Sequence, residues 1–137
     1  MEVRSYRPED FAAIVALWGA CGLHPSRSDT PVSLARKLER DPDLFLVVAD
    51  GEGGIVGSII GSYDGRRGWI NRLAVAPGLR GRAIGRLLVE TVERRLAERG
   101  CDKVNLLVEP DNRRVVDYYD RLGYRTDELV FMEKWLA

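Results

Sequence analysis

Residues that bind metals or carry redox chemistry are scarce here: two cysteines and one histidine in 137 residues. Cys21 and Cys101 stand far apart, with no CxxC pair and no neighbouring histidine, so neither a zinc site nor a disulfide framework is expected. Buried free thiols in a reducing compartment are the expectation for both. An excess of one charge sign is also missing. Lys+Arg and Asp+Glu each number 21, a formal net charge of +0, so nothing global draws the chain to nucleic acid or to a membrane surface. No apolar run approaches the ~18 residues of a membrane span. The opening "MEVRSYRPED" is polar and unlike a signal peptide. With no repeat, low-complexity tract or linker, the chain suits one domain, residues 1–137, expected in the cytoplasm. Its 45% hydrophobic and 31% charged residues are an ordinary globular mixture.

Within that mixture, strand and helix patterns alternate clearly. Glu2 to Tyr6 alternates like a short strand, and Pro8 opens a helix whose Phe11, Ile14, Val15 and Trp18 mark a buried face. Gly22 ends that helix, and the loop "LHPSRSDTP" leads to a second, from about Pro31 to Arg40. The run Leu44 to Ala49 is continuously apolar, as in a strand buried on both faces. "DGEGG" then turns into Ile55–Tyr63, and "DGRRG" into Trp69–Ala76, giving consecutive antiparallel strands. After an Arg/Gly turn, Ile84, Leu87, Leu88, Thr91, Val92 and Leu96 form the stripe of a long helix capped by Gly100. A strand at Lys103–Glu109, a helix in "DNRRVVDYYDRLGY" closed by Gly123 and a last strand in "ELVFMEKWLA" complete the order. Helices flanking a mixed sheet are the natural packing for it.

The Arg/Gly turn carries the chemistry. Between Gly65 and Val89 stand Arg66, Arg67, Arg72, Arg80, Arg82 and Arg86, with no acidic residue among them. The turn joins a strand to a helix N-terminus, where unpaired N–H groups and the helix dipole favour an anion. Gly81 and Gly85 let a ligand approach the backbone, and arginine forks match phosphate. A polyphosphate is the expected occupant; the alternative is that these arginines are solvated and the glycines only permit a turn. The phosphate loop of nucleotide triphosphatases needs a Gly-Lys-Ser/Thr ending that is absent here, and Gly81-Arg82-Ala83 breaks the dinucleotide spacing.

The stretch Arg80-Gly81-Arg82-Ala83-Ile84-Gly85 resembles the pyrophosphate-binding motif of the GNAT superfamily of acyl-coenzyme A-dependent N-acyltransferases, Gln/Arg-x-x-Gly-x-Gly/Ala. "INRLAVAPGLRG" is similar to that superfamily's central strand and turn, and "LLVEPDNRRVVDYYDRLGY" to its later strand and helix. The resemblance covers nearly the whole chain. It implies an α/β (α+β) fold: a mixed, mostly antiparallel central sheet splayed at the middle and flanked by about four helices. It implies acetyl-coenzyme A as acyl-donor substrate, an amine acceptor, and no metal. Backbone groups of Leu73, Ala74 and Val75 would bond the pantetheine arm as an added strand does. The amides from Arg80 to Gly85, through Gly81, Arg82, Ala83 and Ile84, would cradle the pyrophosphate, with Arg80, Arg82 and Arg86 neutralising it. Asn112 would touch the pantetheine, or serve simply as a helix N-cap. Ala83 departs from the motif's usual glycine, and a helical backbone is expected there.

The same resemblance makes Tyr119, ahead of Leu122-Gly123-Tyr124, the acid that protonates the departing thiolate; neighbouring Tyr118 is the alternative, and the spacing of Val115, Tyr119 and Leu122 also fits a core aromatic. Some relatives place a basic glutamate where this chain has Leu107. Glu109, Asp64 and Tyr63 could substitute, and none is assigned. Trp18, His24, Arg27, Trp69 and Trp135 are candidates to shape the acceptor pocket. The expected activity is N-acetyl transfer to a small-molecule amine, a protein N-terminus or a lysine. A non-catalytic acyl-coenzyme A-binding domain is the second reading, motivated by Leu107. Nucleic acid and membrane are not expected partners, and the exposed edges of such a sheet leave a homodimer open.

Overall fold

The computed structural model describes residues 1–137 and divides into two compact units, Met1–Leu106 and Leu107–Ala137. In the first unit, β1 (Glu2–Ser5) is followed by a 3-10 turn at Pro8–Asp10 and by α1 (Phe11–Ala20) and α2 (Pro31–Arg40). Then come β2 (Phe45–Ala49), β3 (Ile55–Tyr63), β4 (Gly68–Val75), a 3-10 turn at Pro77–Leu79, α3 (Ile84–Glu98) and β5 (Val104–Leu106). The five strands form one sheet in sequence order, antiparallel from β1 to β4, with β5 parallel to β4. This is the expected mixed, mostly antiparallel sheet with four helices.

Burial follows from the apolar patterning. β2 is buried along its whole length, as its unbroken apolar run predicts. Phe45, Val47 and Ala49 join Tyr6, Ile14, Leu17, Trp18, Leu34 and Ala74 in one core cluster. Tyr6 stacks on Phe45 with ring centroids 4.3 Å apart. α3 contributes Ile84, Leu88, Val89, Val92 and Leu96, all buried. It packs close to β3 because Gly61 has no side chain: a Cβ there would lie 2.7 Å from Val92 Cγ1. Two expected core positions differ. Leu87 is 50% exposed and Val15 is exposed on α1, while Val89 and Leu17 are buried in their stead. In each helix the buried stripe sits slightly to one side of the expected one, and spacing alone does not set which flank meets the sheet.

Charged groups lock the helices to the strand ends. Arg4 donates two hydrogen bonds to the Asp10 carboxylate, at 2.8 and 3.0 Å, and the Arg7 N–H adds a third at 2.9 Å. Asp41, buried at the end of α2, receives Lys37 at 2.6 Å and Arg99 at 3.1 Å; Arg99 also pairs with Asp43. Both cysteines are free, as expected, but half-buried rather than fully buried. Each thiol finds a carbonyl instead: Cys21 Sγ donates to Val75 at 3.3 Å and Cys101 Sγ to Lys103 at 3.2 Å. No helix is long and apolar enough to cross a membrane.

The second unit holds α4 (Arg113–Arg121), closed by Gly123 at φ 94°. The strand expected in Glu128–Ala137 is not formed. That segment has no regular structure, and Leu129, Val130, Met132 and Leu136 are each more than four-fifths exposed. Its apolar pattern is compatible with a strand, but a strand also requires a hydrogen-bonded neighbour, and none pairs with it. β5 is likewise shorter than the expected Lys103–Glu109. Its ladder with β4 runs only over Gly68–Ile70, and β4 bulges immediately beyond.

Candidate active site

The bulge defines one end of the site. β3 and β4 pair in register from Tyr63↔Gly68 to Ile60↔Asn71, then again at Ser58↔Ala74 and Gly57↔Val75, so β4 carries one residue more than β3 in between. The irregular residue is Arg72, whose φ of 53° is left-handed. Its conformation is held on every side. Trp18 Nε1 donates to Ser58 Oγ at 2.9 Å, and that hydroxyl donates to the Arg72 carbonyl at 2.8 Å. The Arg72 guanidinium lies 4.9 Å from the Trp18 ring centroid. It also donates to Asp29 Oδ2 at 2.5 Å and to the His24 carbonyl at 3.1 Å, both in the loop between α1 and α2.

Beyond the bulge, the backbone of β4 points in alternate directions. The Ala76 N–H bonds the Val56 carbonyl at 2.9 Å. Antiparallel alternation then makes Ser58/Ala74 the next hydrogen-bonded pair and turns the N–H and C=O of Leu73 and Val75 away from β3. β5 does not reach that far along β4, so this side has no strand neighbour beyond Ile70. Of the three expected pantetheine-binding residues, Leu73 and Val75 therefore face the open edge, while Ala74 is buried and turned to β3. The Val75 carbonyl already accepts from Cys21 Sγ and from Arg80 Nε, each at 3.3 Å.

The other end of the site is the turn into α3. Gly81 has φ 84°, and Ala83, the residue just ahead of the helix, has φ 62° and ψ 16°. Ala83 is thus left-handed, not helical as expected. The helix begins one residue later, at Ile84, and Ala83 is its cap. Its carbonyl accepts the Leu87 N–H at 3.0 Å, but no side chain caps the first turn. Two positive-φ residues at the head of an uncapped helix are the backbone pattern of an N–H nest, which suits an anion. Exposed Arg80 and Arg82 flank it and form no ion pair with a carboxylate. Arg86 is paired to Glu90 at 2.7 Å and Arg67 to Asp102 at 3.3 Å, so part of the arginine block is neutralised within the chain.

In the second unit, Asn112 sits at the head of α4 without a side-chain capping bond; only its carbonyl caps, accepting Val115 at 3.2 Å and Val116 at 3.1 Å. Tyr119 is buried, edge-on to Tyr118 and Tyr124 with centroids 5.6 and 5.4 Å away. Burial foremost, with Tyr118 adding to it, pushes its phenol well above the ordinary tyrosine range.

The candidate bases divide differently. Asp64 is committed to the β3–β4 turn, where the N–H groups of Arg67 and Arg66 bond one carboxylate oxygen and hold the carboxyl below its usual range. The Tyr63 hydroxyl donates to Gly65 at 3.0 Å. Glu109 is exposed.

A cavity of about 170 Å³ lies under the α1–α2 loop, lined by Phe11, Val15, Trp18, Gly19, Leu23, Pro25 and Asp29. Neither His24 nor Arg27 lines it, and Trp69 and Trp135 are exposed elsewhere. Sequence reasoning missed Ser58 and Asp29, which hold the bulge. No group of three or more His, Cys, Asp or Glu side chains could hold a metal ion.

Together these features define an α/β domain with an open strand edge that runs into an uncapped helix start flanked by arginines, an architecture suited to acyl transfer. The chain belongs to the acetyltransferase (GNAT) family, whose model matches residues 11–124. It is 43% identical over 136 residues to an acetyltransferase of Pectobacterium atrosepticum, covering 99% of this chain and 96% of that one. Among solved structures, Naa20 of Chaetomium thermophilum, in complex with a bisubstrate analogue, matches with a TM-score of 0.74 and 26% identity, over 89% of this chain and 70% of that one. Ard1 of Thermoplasma volcanium shares the fold with a TM-score of 0.80 at 23% identity, covering 93% and 84%. The chain is an N-acetyltransferase.

Proposed function

We propose that the chain transfers the acetyl group of acetyl-coenzyme A to a primary amine by direct attack on the thioester. The observation that carries this is the continuous segment from Leu73 to Gly85. Along it, a strand edge with no strand neighbour, left-handed Gly81 and Ala83, and two arginines without a carboxylate partner succeed one another at the head of an uncapped helix. Such an edge suits the amides of a pantetheine arm, and such a turn suits a pyrophosphate. Leu73 and Val75 serve the edge. Ala74 contributes through packing, since its own backbone faces β3.

In the reaction the amine nitrogen bonds to the thioester carbon, the C–S bond breaks, and the thiolate takes a proton. Tyr119 Oη is the proposed source of that proton, and solvent water returns one to the phenolate as the thiol forms. Its raised pKa keeps it protonated throughout the physiological range, so it meets the thiolate as a hydrogen-bond donor. The amine nitrogen loses its proton to solvent, directly or through water; no side chain is assigned as base. The apolar cavity beside α1 favours an acceptor whose amine is carried on an apolar body. That the Chaetomium relative holds a bisubstrate analogue supports a site that binds both substrates at once.

A thermal-shift titration with acetyl-coenzyme A tests the reading, with ATP and NAD as polyphosphate controls. At about a hundred times its Kd, a ligand should stabilise the fold by ~2.7 kcal/mol, a rise of several degrees for a domain of this size. A rise with acetyl-coenzyme A alone, followed by thiol release with an amine, supports the proposal. An equal rise with ATP would make the turn a generic anion site, and no rise would remove the acyl-donor site. Tight acetyl-coenzyme A binding without thiol release from any amine would favour a non-catalytic role.

A further inference from the structure

The structure assigns Arg72, Asp29 and Ser58 a positioning role: together they clamp the β4 bulge and so aim the Leu73 N–H out of the open edge. This rests on the acyl-transfer reading above for its kinetic consequence, though not for its geometry.

A left-handed conformation is disfavoured for any residue with a Cβ, and inside a strand it persists only where the surroundings impose it. Arg72 carries such a conformation midway along β4, and four contacts impose it. The Ser58 hydroxyl, itself oriented by the buried Trp18 indole, fixes the carbonyl. The Trp18 ring face receives the guanidinium, and Asp29 and the His24 carbonyl accept its hydrogen bonds. The ion pair is largely sheltered, with side-chain exposures of 18% for Arg72 and 13% for Asp29. Asp29 is braced in turn by the Ser26 N–H at 2.9 Å, so the loop itself is the outer jaw of the clamp.

The extra residue shifts the strand's alternation by one. Without it, the register of Ile60↔Asn71 would run on, and Leu73 rather than Ala74 would turn its backbone to β3. The bulge therefore decides which amide faces the edge. A bound reactant misplaced by about an ångström can lose about a hundredfold in rate, so a small rotation of the Leu73 amide, which would hold the acyl carrier, registers in kcat.

The test combines kinetics with amide spectroscopy. In Arg72→Gly the backbone conformation is permitted but unclamped. We expect kcat to fall at least tenfold, with a thermal response to acetyl-coenzyme A still present because Val75 and the turn from Arg80 to Gly85 are untouched. Asp29→Asn should lower kcat by about threefold or more, and adding it to Arg72→Gly should cause no further loss. Arg72→Lys should not restore the rate, because an ammonium lacks the planar face that lies over the Trp18 ring. Independently of turnover, the Leu73 amide resonance should move and exchange faster in substrate-free Asp29→Asn. Should Arg72→Gly not fold, Asp29→Asn and Ser58→Ala carry both measurements. A variant kcat within twofold of wild type, or an unmoved Leu73 amide, overturns the clamp. If the wild-type enzyme transfers no acetyl group, the acyl-transfer reading fails and the amide measurement alone decides the clamp.

Discussion

Ala83 stands in a backbone conformation that an alanine should resist, which makes it the sharpest place to test the turn. At φ 62° its Cβ crowds the following carbonyl, a cost of about 1–2 kcal/mol against a right-handed residue. Glycine escapes that cost but loses about 0.5–1 kcal/mol through the greater freedom of its unfolded chain. Ala83→Gly should therefore stabilise the protein by about 0.5–1 kcal/mol. The reverse exchange two residues earlier supplies the control. Gly81 has φ 84°, and a Cβ added there would meet nothing within 4 Å, so Gly81→Ala tests conformation without any clash. It should destabilise by about 1 kcal/mol. Equilibrium urea unfolding of the three proteins, with unchanged m-values, reads both differences directly. A loss of stability in Ala83→Gly would refute the reasoning, because it would mean that Ala83 is right-handed in solution and the nest is not preformed. The two substitutions should separate in acetyl-coenzyme A affinity as well: Ala83→Gly should leave it equal or tighter, and Gly81→Ala should weaken it by displacing the amides around it.

Gly61→Ala should destabilise by about 1–3 kcal/mol in the same urea assay, because Val92, branched and fully buried, cannot swing away and α3 must shift; Gly78→Ala, with open space around its Cβ, should be near neutral. Stability should fall on acidification below about pH 4, the ordinary carboxylate range. At Asp10 the Arg4 hydrogen bonds hold the carboxyl low; at Asp41 burial pushes it up but Lys37 and Arg99 outweigh that. Each folded-state pKa lies below its unfolded value, so the contribution is complete above the unfolded value and is lost as pH drops through the folded one. Asp10→Asn should flatten that acid limb in a pH series of melts, and an unchanged limb would remove the Arg4 pair from it. Tyr119→Phe should lower kcat while leaving acetyl-coenzyme A binding nearly unchanged; because burial raises this phenol, the wild-type rate should show no loss from its ionisation below about pH 10. Equal kcat in the variant would remove Tyr119 from the chemistry.

Much of the fold was legible because its determinants are local. Helix α2 runs from Pro31 to Arg40 as read, since proline at the first position and the Thr30 cap, whose hydroxyl accepts the Ser33 N–H at 3.1 Å, mark its start. β3 occupies Ile55–Tyr63 because turn residues punctuate both of its ends. What could not be read is whatever depends on a partner distant in sequence. Leu87 and Val15 obey helical spacing yet lie exposed, because the sheet selects one flank of each helix. The segment Glu128–Ala137 has strand-like residues, but a strand exists only where a second one pairs with it. Asp29 and Arg72 are 43 residues apart, and Ser58 and Trp18 are 40 apart, so no spacing rule links them.

The candidate site was legible in its residue types and illegible in its handedness, and the two halves have one cause. Arginines and glycines announce an anion and a turn by composition. A left-handed backbone announces itself only when glycine occupies it, and at two positions here glycine does not. Arg72 and Ala83 are the only non-glycine residues in the chain with positive φ, and they bracket the segment of β4 and its turn from Leu73 to Arg82. Conformational strain of this kind persists where neighbouring contacts impose it and where relaxing it would move something else. At Arg72 relaxation would turn the Leu73 amide back toward β3; at Ala83 it would close the concavity ahead of α3. Each strained residue therefore stands where a backbone N–H must point out of the protein rather than into its own secondary structure, which is what the proposed site for an extended, phosphate-ended acyl carrier would require.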